Sequence, residues 1–233
     1  MGNQLIKDTH IEKEPIGKTG IGLQWEMYRG HKLDKSKTPA TIFLFDKKEL
    51  LKAPSNLREE TLATIKKEPQ TLARFKHPSI LSLLDPLLED PKSMGFVTEA
   101  TKGSLHNFLQ SNGTTEIFPT EIDTKFHLLE LAETLSFLHN DVKSCHLAIS
   151  PENIYVLSDE KWKLGGLTFN TQITQGSLAE TNINFQRNNE PCLRPSLKFC
   201  APEVANINSK GGFASDIFSL GCLIYTLYKV NQD

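Results

Sequence analysis

The stretch His146-Leu147-Ala148-Ile149-Ser150-Pro151-Glu152-Asn153 decides how the rest of this 233-residue chain is read. It sets a histidine, a Pro-Glu turn and an asparagine around two apolar side chains, Leu147 and Ala148. The methyl group of Ala148 can neither accept a proton from a substrate hydroxyl nor orient one. Groups suited to holding a loop in shape are present, and a group suited to acid-base chemistry at its centre is missing.

Composition narrows the classes around this loop. Hydrophobic residues make up 38% of the chain and charged residues 23%, as in an ordinary globular protein with one sizeable core or two lobes sharing one. Lys plus Arg is 26 and Asp plus Glu 28, a net charge of -2, which gives no support for a nucleic-acid partner. Cys145, Cys192, Cys200 and Cys222 contain no C-x-x-C pair and read as free thiols of a reducing compartment. The longest apolar stretch, 217–228, is broken by Ser219, Gly221 and Thr226 and falls short of the roughly 20 residues a membrane span needs. It reads as a buried helix. Met1-Gly2-Asn3 opens like a myristoylation signal, but Ile6 stands where that motif wants Ser or Thr.

The pattern along the chain changes once. Residues 16–25 hold Gly17, Gly20 and Gly22 in a turn-like setting, and Thr41–Phe45 is a compact strand bounded by Pro39 and Asp46. Residues 56–75 suit a helix, which Pro69 should kink or split. Residues 80–88 and 94–98 suit two further strands. After Lys102-Gly103 the signals are helical: a short helix capped by Ser104, then a long buried one over 123–139 with Phe126, Leu129 and Phe137 near a helical period. Residues 154–157 and 162–164 read as a hairpin. Residues 168–189, rich in Asn, Gln, Ser and Thr, read as a mobile loop, and 216–228 as the last helix. This implies an α+β fold of two lobes, a strand-rich one over 1–101 and a mainly helical one over 102–233, the latter truncated.

In this order of elements, the motifs resemble those of protein kinases. The opening stretch is similar to the catalytic loop H-R-D-L-x-x-x-N, with Leu147 for Arg and Ala148 for the catalytic Asp. Gly17, Gly20 and Gly22 stand in a degenerate glycine loop whose second glycine is Thr19, with Gln24 for the adenine-covering Val. Phe43 takes the place of the strand lysine. Lys47 lies on the same strand face but about 13 Å away, and Lys18 is the candidate for a displaced lysine, against the plainer reading of a solvated turn residue. Glu68 stands where a helix glutamate pairs with that lysine; with Phe43 present it is expected to be a surface carboxylate. Thr98 and Glu99 resemble the hinge, whose backbone binds adenine in active kinases. Asn153 could reach a metal, but Gly166 stands where the metal-binding Asp would, and a lone amide is a poor magnesium ligand. Ser150 replaces the loop lysine. Ala201-Pro202-Glu203 and Asp216 to Gly221 are architectural motifs: Asp216 braces the loop backbone, and Glu203 docks on a later Arg absent from these residues. Structural positions His146, Glu203 and Asp216 thus survive where charged catalytic positions are lost.

More narrowly, residues 146–153, 42–48 and 20–25 resemble the Scy-one-like pseudokinases, and within them the coated-vesicle-associated branch. The resemblance implies a catalytically inactive protein-kinase-like adaptor, cytoplasmic and peripheral on coated vesicles, Golgi or endosomes. Its partners would be clathrin or adaptor proteins. It implies no catalytic residue, no metal and no required cofactor, at most weak ATP binding without magnesium. The family's helical repeats and clathrin-binding tail do not occur in these residues, and a fragment, an incomplete gene model or a natural truncation stays open. Two rivals stay open on the residues alone: a divergent ATP-binding Ser/Thr kinase using Lys18, and a nucleotide-sensing switch.

Overall fold

The computed structural model describes residues 6–48, 50, 53–110, 120–173, 179–180, 193–205 and 210–230. The Met1-Gly2-Asn3 signal, Cys192 and most of the 168–189 segment lie outside them.

Alternating apolar residues pair into a five-stranded antiparallel sheet. Its strands are β1 (Thr9–Thr19), β2 (Trp25–Lys32), β3 (Pro39–Asp46), β4 (Leu83–Glu89) and β5 (Ser93–Glu99), in the order β1-β2-β3-β5-β4. Met27, Phe43 and Phe96 lie side by side across β2, β3 and β5. With Trp25, Phe45 and Met94 they form one buried face, while Ala40, Ile42 and Val97 form a smaller cluster on the other. Helix α1 (Ser55–Arg74) packs beside β4. It does not split at Pro69: the helix runs through, and Glu68 and Pro69 are both on its buried face. The proline ring removes one ladder donor, and tertiary packing of Thr61, Ile65 and Leu72 keeps the helix whole.

Strand β6 (Thr101–Ser104) leaves this sheet and pairs with β8 (Ile154–Leu157), which pairs with β9 (Trp162–Leu164). Between them come α2 (Leu105–Gln110), α3 (Glu121–Asn140) and the short β7 (Ser144–Cys145). Ser104 Oγ accepts from the Asn107 N–H, the expected cap of α2. Thr120 and Asp123 form a reciprocal capping box at the start of α3. The buried face of α3 differs from the one read in the sequence. Phe126 and Leu129 are 55% and 57% exposed, and Leu128, Leu131, Leu135 and Leu138 face the core instead. Both sets satisfy a helical period; the leucine set also brings Thr124 and His127 inward, and polar residues there disguised the face.

The 168–173 end of the anticipated loop is ordered. A 3-10 turn, Leu167–Phe169, leads into β10 (Thr171–Gln172), which pairs with β7. Strands β11 (Ala179–Glu180) and β12 (Lys210–Gly211) pair with each other, α4 (Pro202–Ala205) precedes β12, and α5 (Phe213–Val230) closes the described chain. Helix α5 is buried on one side only: Asp216, Ser219, Leu220, Leu223 and Leu227 are inside, whereas Ile217, Phe218 and Tyr225 are exposed. No helix among the described residues is long and apolar enough to cross a membrane.

Candidate functional site

The opening stretch of the sequence forms a loop braced from below by Asp216. This fully buried carboxylate accepts from the His146 N–H at 2.8 Å and the Leu147 N–H at 2.7 Å. Its Oδ2 also lies 2.8 Å from His139 Nε2 on α3. Three elements thereby meet at one side chain. Leu147 is held at a φ of +62°, a strained conformation for a branched residue, and the Asp216 bond to its N–H helps hold it there. His146 Nδ1 accepts from the Ala148 N–H, so Nε2 carries the proton and donates to Gly165 O at 2.7 Å. Burial pushes the His146 imidazole below its ordinary range, so the ring is neutral. Asn153 Nδ2 donates to Ala148 O at 2.7 Å and ties the end of the loop to its middle. Asn153 Oδ1 is buried and unpartnered among the described residues.

The glycine loop above it is folded down. The Gly20 N–H donates to Glu152 O at 3.2 Å, and Thr19 Oγ1 donates to the same carbonyl. Thr19 Oγ1 also lies 3.2 Å from the Tyr155 hydroxyl. Gly20, at a φ of +75°, lies close to the Trp25 ring, so a β-carbon there would sit 2.8 Å from Trp25 Cδ1. Asn107 on α2 donates to Lys18 O and occupies the space beside Gly17. Gly22 O accepts from the Gln24 side chain. Lys18 points outward, 62% exposed and 3.8 Å from Glu26, and is a surface residue. Lys47 bonds Glu89 and Asp90 O at the turn between β4 and β5.

Between glycine loop and catalytic loop stands a set of rings. Phe43 stacks on Phe96 with centroids 4.6 Å apart, meets Tyr155 edge-on at 5.5 Å, and Phe96 meets Trp25 edge-on at 4.9 Å. Such pairs add about 0.5–1.5 kcal/mol each beyond their burial. Phe43 is thus packed across the two lobes. Tyr155 and Trp25 were not singled out in the sequence; the P-E-N-I-Y order and the W after the glycine turn are the signals that could have found them.

At the hinge, the Thr101 N–H donates to Thr41 Oγ1 at 2.8 Å, and Thr98 Oγ1 donates to Glu99 O at 2.9 Å. The Glu99 N–H donates to Ser82 O, and its carboxylate holds Lys163 of β9 at 2.7 Å and the Ser82 N–H. Thr41 was missed because, within a strand, a threonine reads only as a β-former.

Glu68 is the largest departure from expectation. It is not on the surface: it is 4% exposed, and accepts from the Gly166 N–H at 2.8 Å and Thr168 Oγ1 at 3.2 Å. Among the described residues no basic side chain forms an ion pair with it, and burial pushes its carboxyl up to about 7. Gly166 itself has a φ of +70°, and a β-carbon there would lie 2.1 Å from Asn153 Cγ. An aspartate cannot stand at that position without moving one of the two segments. Glu203 is likewise not left without a partner: its Oε1 accepts from Ser215 Oγ at 2.6 Å at the start of α5. The buried Cys145 thiol is pushed up, as is that of Cys200, to about 11.

A five-stranded lobe with one helix, a hinge strand, and a loop braced by a helix aspartate define a protein-kinase-like domain. The protein kinase domain family matches residues 18–232, and the chain belongs to that family. It is a Scy1-like member. It is 31% identical over 241 residues to SCY1-like protein 2 of Homo sapiens, covering 98% of this chain and 26% of that protein. It is 32% identical over 236 residues to the protein kinase-like protein SCY1 of Saccharomyces cerevisiae, covering 88% and 28%. With the protein kinase domain-containing protein ppk32 of Schizosaccharomyces pombe it shares 31% over 245 residues, covering 97% and 32%. The chain therefore spans about a quarter to a third of the length of these relatives.

Proposed function

We propose that this domain is a catalytically inactive protein-kinase-like scaffold, kept for its shape rather than for phosphoryl transfer. The observation that carries the reading is the packing of Phe43, at the position of the strand lysine, into one buried ring set with Trp25, Phe96 and Tyr155. Two further features support it. Hinge groups that would meet adenine are engaged by Thr41 and Thr98. At the metal position, Gly166 leaves no room for a carboxylate beside Asn153. The residues present do not fit a magnesium nucleotide. Ala148 supplies no base, and Ser150, whose hydroxyl donates to Ala148 O, supplies no cation.

The resemblance to the coated-vesicle-associated branch extends this proposal to an adaptor role in clathrin-coated vesicle traffic between Golgi, endosomes and plasma membrane. Clathrin or adaptor proteins would be its partners. A thermal-shift titration tests the inactive cleft. A nucleotide at 100 times its dissociation constant stabilises a fold by roughly 2.7 kcal/mol. The expected outcome is no shift with ATP, with or without magnesium. A magnesium-dependent shift together with phosphotransfer that depends on Asn153 would overturn the proposal.

A further inference from the structure

We propose that Glu68 is a proton-sensitive latch between the lobes, tight when its carboxyl is neutral and loose when it is charged. The geometry carries this. Glu68 belongs to α1 of the strand-rich lobe, and the groups it binds, the Gly166 N–H and Thr168 Oγ1, belong to the turn after β9. That turn is the main contact of α1 with the rest of the chain outside its own sheet. The charged form is buried against backbone N–H groups and one hydroxyl, with no cation among the described residues to offset its loss of water. Those hydrogen bonds favour the carboxylate, but burial opposes it more strongly. On taking up a proton, Glu68 keeps an acceptor for Gly166, and its hydroxyl can donate to Thr168 Oγ1, which reverses its role.

The groups packed around Glu68 leave it as the element that senses pH. One turn away on α1 stand Thr64, Ile65, Thr71 and Leu72, none of them charged. From β8 comes Tyr155, whose phenol is driven well above its usual range by burial and by the charge of Glu68, with Glu152 adding to it. The turn itself holds no titratable side chain between Gly165 and Thr168. His146 reaches it through Gly165 O and is neutral.

The sign follows from linkage. In the closed state the carboxyl ionises near 7, in an open, hydrated state near 4.5. The latch is therefore fully favourable below about 4.5 and loses strength as pH rises through about 7. Between pH 5.5 and 8 the opening constant should rise by roughly thirtyfold. The test is amide exchange of Gly166, Leu167 and Thr168 across that range in the 233-residue chain, expressed as protection relative to the intrinsic rate at each pH. Protection should fall with rising pH, and Glu68→Gln, a permanent mimic of the neutral form, should remove the dependence. Flat protection in the wild type, or an unchanged slope in Glu68→Gln, overturns the latch. Should that variant fail to fold, Thr168→Val decides. Thr168 Oγ1 can bond both forms, but its bond to the carboxylate is the stronger, so its loss should move the transition to higher pH; an unmoved transition overturns the proposal. The latch does not depend on whether a nucleotide enters the cleft.

Discussion

Around Asp216 and across the cleft, the same catalytic loop faces two differently built neighbourhoods. Below the loop a carboxylate meets two backbone N–H groups and an imidazole, all buried and all matched. Above it, aromatic rings pack on one another and threonine hydroxyls bond backbone groups. The lower arrangement costs several kcal/mol to break, because removing one partner leaves others buried and unpaired. The upper one can change residue by residue, because apolar groups of fitting shape have no partner to strand. One loop therefore holds both kinds of position: those that brace its backbone are polar, and Leu147 and Ala148 between them are apolar and buried.

The sharpest way to break this comparison is Asp216→Ala. It strands the His146 and Leu147 N–H groups and His139 together, and should lower stability by about 3–5 kcal/mol in urea unfolding. A loss under 1 kcal/mol would remove the distinction between brace and cleft. Next is Gly166→Asp, which reinstates a kinase residue. Its β-carbon collides with Asn153 at a φ of +70°, so a loss of about 2–4 kcal/mol is expected, with no gain of nucleotide binding even when combined with Phe43→Lys. Nucleotide binding by the double variant would mean that the cleft is only side-chain deep. Thr41→Val keeps shape but leaves the buried Thr101 N–H without its acceptor, for about 1–2 kcal/mol. Faster exchange of the Thr101 amide is the direct readout. At the small end, Lys18→Ala should change neither stability nor ATP response measurably, since this lysine is exposed and only loosely paired. An altered ATP response would revive the displaced-lysine reading.

Much of the fold was legible in the chain because its signals are local. Thr41–Phe45 alternates between two buried faces, Ser104 caps a helix, and 154–157 with 162–164 forms a hairpin. The misreadings share one cause. Pro69 predicts a break from backbone chemistry alone, but a helix docked along its buried side can lose one hydrogen bond and continue. Phe126 and Leu129 predict an inner face from hydropathy, yet α3 is rotated so that a leucine row and two polar residues lie inside. Glu203, expected to be stranded, reaches Ser215 nearby, a short-range hydroxyl contact that carries no motif.

By itself, the sequence determined the class of domain and the residue types at its loop and strand positions. Histidine, asparagine and aspartate at fixed spacings define a braced loop, and an alanine methyl or phenylalanine ring cannot carry a proton or a phosphate charge wherever it sits. Only the tertiary structure decided what those residues touch. Whether Phe43 is packed across the two lobes depends on Tyr155, more than 100 residues away. Whether Glu68 is a surface carboxylate or a buried latch depends on the lobes bringing α1 against Gly166. Partners, burial and the cost of charge are properties of the space between segments, and that space exists only once the two lobes have met.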